Sequence, residues 1–215
     1  MAIFQIMKPV KCIETGWVER IPLDTTSPCW YEHCSRYYFA VPHIRSKIVL
    51  DIACGNGYGT YIMAKNGARF VIGVDISQEA ITTAKRNFFD VNMSFKLMDA
   101  AKTDFADKTF DVIISFETIE HIPDYVRFLM EIRRLIKDNG ILMISTPNSL
   151  ITIKRNGKPD NPYHIKEFTP DEFYRLLSGY FRFVRLYGQI LTNRGWAFDP
   201  LSIKNAHVVL AVCRP

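Results

Sequence analysis

The run Ile48-Val49-Leu50-Asp51-Ile52-Ala53-Cys54-Gly55-Asn56-Gly57-Tyr58-Gly59-Thr60 constrains the fold more than any other part of the chain. Ile48 to Ile52 is short, apolar and β-branched, the composition of a strand buried on both faces of a parallel sheet. Three alternating glycines follow, permitting a tight turn and close approach of backbone to a ligand. The turn feeds a helix whose unsatisfied amide groups attract polar or anionic ligand atoms. Strand, glycine turn and helix in this order place the chemistry at the loop.

Strand-like and helix-like segments alternate from Lys47 to Asn148, the pattern of a parallel sheet covered by helices. Strands are expected at 48–53, 70–74, 93–98, 111–115, 141–145, 181–187 and 207–213. Together they make a Rossmann-like α/β fold: a seven-stranded, mostly parallel sheet with a C-terminal antiparallel strand and helices on both faces. Gly67 ends the first helix, and Ser77 is placed to cap the next, whose Ala80, Ile81, Ala84 and Phe88 face a core. The helix from Pro123 carries Phe128, Ile132, Leu135 and Ile136 on one face and is expected to stop at Asn139-Gly140. Thr169-Pro170-Asp171-Glu172 combines an N-cap, a proline at the first helical position and a capping-box glutamate. Ser149 to Phe168 reads as a polar connection, and Gly188 to Pro200 as an irregular one.

A chain of 215 residues suits one domain that buries roughly 70% of its unfolded surface. We divide it into an aromatic cover segment, 1–45, with Trp17, Trp30, Tyr31, Tyr37, Tyr38 and Phe39, and a single globular unit, 46–215. The cover is either an extra core-packing helix or a lid over bound ligand. Composition is ordinary, 48% hydrophobic and 23% charged, which gives no support to disordered or fibrous classes. The five cysteines form no CxxC pair, so reduced thiols are expected rather than a disulfide framework or zinc site. The apolar start, Met1 to Pro9, is too short for a signal peptide, and no run is long enough to span a membrane, which points to the cytoplasm. A net charge of +5 is spread along the chain rather than gathered in a stripe, so nucleic acid is not the favoured partner. Lys154, Arg155 and Lys158 form a small basic group in a loop, read as a solvated surface or an anionic-substrate contact.

Asp51, Asp75, Asp99 and Glu117 lie at the C-terminal ends of the first strands, the edge where open α/β sheets bind ligands. Asp75 follows Gly55 by 20 residues, the spacing of a carboxylate that takes ribose hydroxyls. That geometry fits NAD and S-adenosylmethionine equally. The glycine pattern departs from GxGxxG, and an acid within the strand suits a ligand bearing an ammonium group rather than two phosphates.

With VLDIACGNGYGT (Val49 to Thr60), VIGVDIS (Val71 to Ser77) and LMDAAKTDFADKTFDVIIS (Leu97 to Ser115), the chain resembles the class I S-adenosylmethionine-dependent methyltransferases from Ile48 to Cys213. The resemblance implies that S-adenosyl-L-methionine is the cofactor. Asp51 and the backbone of Gly55 and Gly57 would hold its methionine part, Asp75 the ribose, Ile76 the adenine face, and Asp99 with Ala100 the adenine edge. Ala53 stands where many members have glycine, and Phe116 is grouped with the cofactor-binding residues. Trp30 to Tyr37 resembles an EHxxRY-type opening seen in saccharide methyltransferases, which brings Tyr31 and Arg36 into the cofactor site. Arg36 would meet the cofactor carboxylate.

Glu117, Glu120 and His121 follow the fourth strand and would share one face if that segment were helical. With His164 they resemble the metal quartet of small-RNA 3'-terminal 2'-O-methyltransferases. Similar ExxEH segments occur in ubiquinone-pathway O-methyltransferases and in many sugar and natural-product methyltransferases. Glu117, Glu120, His121 and His164 are therefore a candidate site for a divalent metal ion, whereas Glu117, His121 and His164 are the candidate catalytic groups, with either histidine as general base. The leading expectation is methyl transfer to an oxygen of a small polar acceptor, a sugar or other metabolite. The alternatives are metal-assisted RNA 2'-O-methylation and a non-catalytic module that binds cofactor and a partner.

Overall fold

The structure, a computed structural model, describes residues 28–215 except 153, 156 and 194. Expectations placed on residues 1–27, Trp17 among them, lie outside the described residues. The helices are α1 (Pro28–Ile44), α2 (Tyr58–Lys65), α3 (Gln78–Asn87), α4 (Tyr125–Leu135) and α5 (Pro170–Ser178). The strands are β1 (Ile48–Ile52), β2 (Phe70–Asp75), β3 (Met93–Leu97), β4 (Phe110–Phe116), β5 (Ile136–Pro147), β6 (Lys154–Arg155), β7 (Lys158–Pro159), β8 (Phe183–Thr192), β9 (Gly195–Asp199) and β10 (Val208–Arg214).

Eight strands form the main sheet in the order β3-β2-β1-β4-β5-β10-β8-β9. The first five are parallel neighbours, whereas β10 runs antiparallel to β5 and β8, and β9 antiparallel to β8. The expected count of seven is thus corrected to eight: β9 arises in the connection read as irregular, where pairing with β8 satisfies its backbone groups. The polar connection after β5 likewise contains the two-stranded ribbon β6-β7.

Alternation along the strands divides the core between the two faces of the sheet. Leu50, Ile113, Leu142, Ile144, Val209 and Ala211 pack with α4 and α5 through Phe128, Ile132, Leu135, Phe173 and Leu177. Val49, Val112, Ile114, Met143 and Leu210 pack on the other face, with Tyr37, Ala40 and Ile44 of α1, Met63 and Ala64 of α2, and Ile81 and Ala84 of α3. Each such fully buried aliphatic or aromatic side chain contributes about 1.5–3 kcal/mol. The segment before β1 is therefore a core-packing helix over its described part, and Phe39 extends that contact to Phe198 of β9, with ring centroids 4.5 Å apart.

Two caps follow the sequence reading: Ala80 N donates to Ser77 Oγ at 3.2 Å, and Thr169 and Glu172 form a reciprocal capping box. One helix boundary does not. α4 ends at Leu135, and Ile136 already pairs with Phe110, after which the register jumps so that Val112 faces Ile141. Residues 137–140 bulge between these pairs. Lys137 Nζ donates to Asp111 Oδ1 at 2.7 Å, while Ile48 N donates to the other oxygen at 2.8 Å, which ties the bulge to β1. The expectation of reduced cysteines holds for Cys34, Cys54 and Cys213 but not for Cys29, which is disulfide-bonded. Among the described residues no helix is long and apolar enough to cross a membrane.

The α1–α2 contact depends on one missing side chain. A methyl group at Gly59 would lie 2.0 Å from Tyr37 Cζ, so Gly59→Ala must displace the aromatic ring. We predict a loss of about 1–3 kcal/mol, visible as a melting temperature lower by several degrees, and an unchanged temperature would contradict this packing.

Candidate functional site

The turn after β1 is held by its neighbours in the sheet. Cys54 N donates to Val74 O at 2.8 Å and Gly55 N to Asp75 Oδ2 at 2.9 Å, while Ser77 N donates to Asp75 Oδ1 at 2.9 Å. Backbone φ is positive at Ala53 (60°), Gly55 (54°) and Gly57 (86°). Ala53 thus occupies a left-handed conformation that glycine adopts without strain. The glycines have different tasks. No atom lies within 4 Å of the position a methyl would take on Gly55, whereas one on Gly57 would lie 2.6 Å from Ala84 Cβ. Close approach of a ligand to backbone is therefore available at Gly55, while Gly57 and Gly59 serve packing.

Asp75 is buried at the sheet edge and Ile76 beside it is 70% exposed, an apolar side chain left open to solvent at the end of β2. Asp99, exposed at the end of β3, accepts from Ala101 N at 2.8 Å through Oδ1 and shapes its own turn, while Ala100 leans on the core. Asp51 points beneath the loop rather than out of it. Its Oδ2 accepts from Thr60 Oγ1 at 2.6 Å and its Oδ1 from Tyr37 hydroxyl at 3.3 Å. Burial pushes its carboxyl up to about 7 against those two donors, with the nearby Asp75 charge adding to the rise.

Arg36, on α1, is fully buried. Its Nη1 donates to Gln189 Oε1 at 2.5 Å and lies 3.7 Å from Glu32 Oε1, yet among the described residues Nε and Nη2 have no hydrogen-bond partner. Those two groups form one edge of the guanidinium, with parallel N–H bonds that match the two oxygens of a carboxylate. Tyr31 is exposed on the same helix, and Phe116 is buried with its ring 5.1 Å from that of Tyr37. Burial raises the Glu32 carboxyl, with Arg36 opposing and Glu117 adding to the rise.

Glu117 lies outside any helix. Its φ of 52° ends β4 in a left-handed residue, and only Ile119–His121 form a helical turn, so the expected shared face is not formed. Ser145 Oγ donates to Glu117 Oε1 at 2.7 Å and accepts from Glu117 N at 3.1 Å. The structure instead brings together Glu120, His121 and His164, with one donor atom from each lying within 4.8 Å of the others. Glu120 is wholly buried: Oε2 accepts from Thr146 Oγ1 at 3.1 Å, while Oε1 lies 3.9 Å from His121 Nε2 and has no hydrogen-bond partner among the described residues. Burial, reinforced by the Glu117 charge, holds its carboxyl well above the usual range.

His121 Nδ1 donates to Tyr163 O at 2.9 Å, and its ring stands 4.9 Å from that of His164. His164 Nδ1 bonds Glu167 Oε1 at 2.6 Å and Nε2 faces Asn161 Nδ2 at 2.9 Å. Because an ionised carboxylate only accepts, the proton of neutral His164 sits on Nδ1. Thr152 Oγ1 donates to the other Glu167 oxygen. A cleft of about 370 Å³ opens beside His164, lined also by Lys158, Asn161 and Ile165. Gln189, Glu167 and Asn161 were not anticipated from sequence, although Asn161-Pro162-Tyr163-His164 carries the turn signal that positions the last.

A parallel sheet with an open glycine turn after β1, a carboxylate fixed at the end of β2 and a buried arginine edge without a hydrogen-bond partner among the described residues is the architecture of an open α/β protein that binds its ligand at the carboxyl ends of the strands. A methyltransferase-domain family model matches residues 45–179. A probable S-adenosylmethionine-dependent methyltransferase of Mycobacterium tuberculosis is 32% identical over 155 residues, covering 72% of this chain and 56% of that protein. A ubiquinone biosynthesis O-methyltransferase of Neisseria meningitidis is 32% identical over 111 residues, covering 49% of this chain and 46% of that one. An S-adenosylmethionine-dependent methyltransferase structure from Thermotoga maritima superposes with a TM-score of 0.69 at 15% identity, covering 86% of this chain and 89% of that one. The chain belongs to the class I S-adenosylmethionine-dependent methyltransferase family, whose cofactor is S-adenosyl-L-methionine. Its match spans little more than half the length of the M. tuberculosis relative.

The raised Asp51 carboxyl gives a signed pH effect. Its ordinary value is 3.8 and its folded value about 7, so between these the folded state binds the proton more tightly than the unfolded one. This contribution is present at low pH and is lost as pH rises through about 7. Melting curves of the protein without cofactor should show that decline, and Asp51→Asn should flatten it. An unaltered slope in the variant would contradict the assignment.

Proposed function

We propose that this chain transfers a methyl group from S-adenosylmethionine to an oxygen of a small polar acceptor, a sugar or another metabolite. When bound, the cofactor supplies an electrophilic methyl group on a sulfonium. The Nε and Nη2 edge of Arg36 fits the cofactor carboxylate, Gly55 gives its backbone room, and Asp75 is placed for the ribose. Ile76 and the Asp99-Ala100 turn would border the adenine. Asp51, beneath the loop, would act through the turn rather than by direct contact.

The observation that carries the oxygen acceptor is the Glu167–His164 pair. Glu167 holds His164 with its proton on Nδ1, which makes Nε2 the basic nitrogen, beside a cleft of about 370 Å³. An acceptor hydroxyl displacing the Asn161 amide would donate its proton there. Glu117, fixed by Ser145, is near enough to Glu120 to add to the burial that raises its carboxyl.

A release assay for S-adenosylhomocysteine with sugars, phenols and short RNAs tests the reading. We expect turnover with small hydroxyl compounds and none with RNA. His164→Ala should lower kcat by about 10²–10⁴-fold and Glu167→Gln by a smaller factor, with cofactor affinity retained. Full activity in both variants would reject the general base, and the absence of turnover with every acceptor would favour a binding module.

A second reading is favoured by the convergence of Glu120, His121 and His164: these three donors suit one divalent cation, with Glu167 as the outer carboxylate on His164. Glu117 would then act beside the ion rather than as its ligand. Metal analysis of protein purified without chelators should give about one equivalent under this reading, lost in Glu120→Gln; metal-free protein with chelator-insensitive turnover would exclude it.

A further inference from the structure

Gln189 lies in the middle of β8, buried against α1, and every polar group of its side chain is used. Oε1 accepts from Arg36 Nη1 at 2.5 Å, while Nε2 donates to Glu32 O and to Ser35 Oγ, each at 2.8 Å. The carbonyl of Glu32 can only accept, so the amide orientation is dictated by its partners. Ser35 Oγ in turn donates to the same carbonyl at 2.7 Å. The amide therefore grips the α1 backbone with one end and the guanidinium with the other.

Without that grip Arg36 has an obvious competitor. Glu32, one helical turn away, already stands 3.7 Å from Nη1, and a small rotation of the long arginine stem would let the two pair fully. Such pairing would use the guanidinium up internally. Gln189 instead occupies Nη1 as a neutral acceptor, so that the Glu32 pair stays long, and it leaves the Nε and Nη2 edge buried and without a hydrogen-bond partner among the described residues. A buried charged group in that condition is costly until a ligand supplies acceptors.

We propose that Gln189 is a positioning residue: it keeps the Arg36–Glu32 pair from closing to hydrogen-bond distance and presents the Nε/Nη2 edge to a carboxylate, so that the site selects nucleosides carrying an amino-acid tail. The inference rests on the assignment of Arg36 to the cofactor carboxylate, and it predicts selectivity rather than mere affinity.

The test compares S-adenosylhomocysteine with 5'-methylthioadenosine, which keeps the nucleoside and thioether but lacks the amino-acid end, by calorimetry on the full chain. Partial unfolding weakens both ligands equally, so the ratio of their Kd values reports on tail recognition alone. Gln189→Met should reduce that ratio by about tenfold or more, with the Kd for 5'-methylthioadenosine nearly unchanged. Ser35→Ala, a milder change that removes one anchor of the amide, should reduce it less and in the same direction. Arg36→Met should abolish the preference. If Arg36→Met abolishes it while Gln189→Met and Ser35→Ala leave it intact, the role of Gln189 is overturned and the Arg36 assignment stands. If Arg36→Met leaves it intact, both fall.

Discussion

The bond from Gly55 N to Asp75 Oδ2 fixes the end of β1 against the end of β2, and the rest of the site is hung from it. With the chain turned there through left-handed Ala53, Gly55 and Gly57, α2 begins at Tyr58 and sets Thr60 over Asp51. Gly59 then leaves the space that Tyr37 fills, and Tyr37 docks α1 on the sheet. Docked in this way, α1 carries Glu32 and Arg36 beneath the same edge and brings Arg36 to Gln189. A local turn thus determines where a distant helix places its charge.

The hydrogen-bonding groups so gathered are not all satisfied among the described residues. Among the described residues one edge of Arg36 and one oxygen of Glu120 have no hydrogen-bond partner, and burial, with the Glu117 charge adding, raises the carboxyls of both Glu32 and Glu120. A half-satisfied buried network is less stable than a packed apolar one, and proteins retain such networks where a ligand completes them. The Glu120 oxygen without a hydrogen bond lies 3.9 Å from His121 Nε2.

Much of the first half of the fold was legible because it is local. The β-branched runs ending in aspartates, the Ser77 cap and the Thr169 capping box each need only neighbouring residues, and the spacing from Gly55 to Asp75 follows from one strand-helix-strand unit. The parts that escaped depend on partners far away in the chain. β9 contains Gly195 and ends just before Pro200, and becomes a strand only because β8 pairs with it and Phe39 packs on Phe198. The α4 boundary at Leu135 was hidden because Ile136 continues the helical apolar pattern yet is drawn into the sheet opposite Phe110. The partners of Asp51, Thr60 and Tyr37, likewise come from α2 and α1 and could not be read from β1. Gln189 and Glu167 look like ordinary polar residues of a strand and a loop, and only the fold sets them on Arg36 and His164. Glu117 left the expected helical face because its own backbone ends β4 in a left-handed turn.

The central claim is that a buried guanidinium edge is kept vacant for the cofactor's amino-acid end. A crystal structure of the chain with S-adenosylhomocysteine tests it most directly. The account predicts the ligand carboxylate about 2.7–2.9 Å from both Arg36 Nε and Nη2, with the ribose hydroxyls on Asp75 and Gln189 still bonded to Nη1. A ligand bound with its carboxylate elsewhere, and that edge of Arg36 still unpaired, would contradict it.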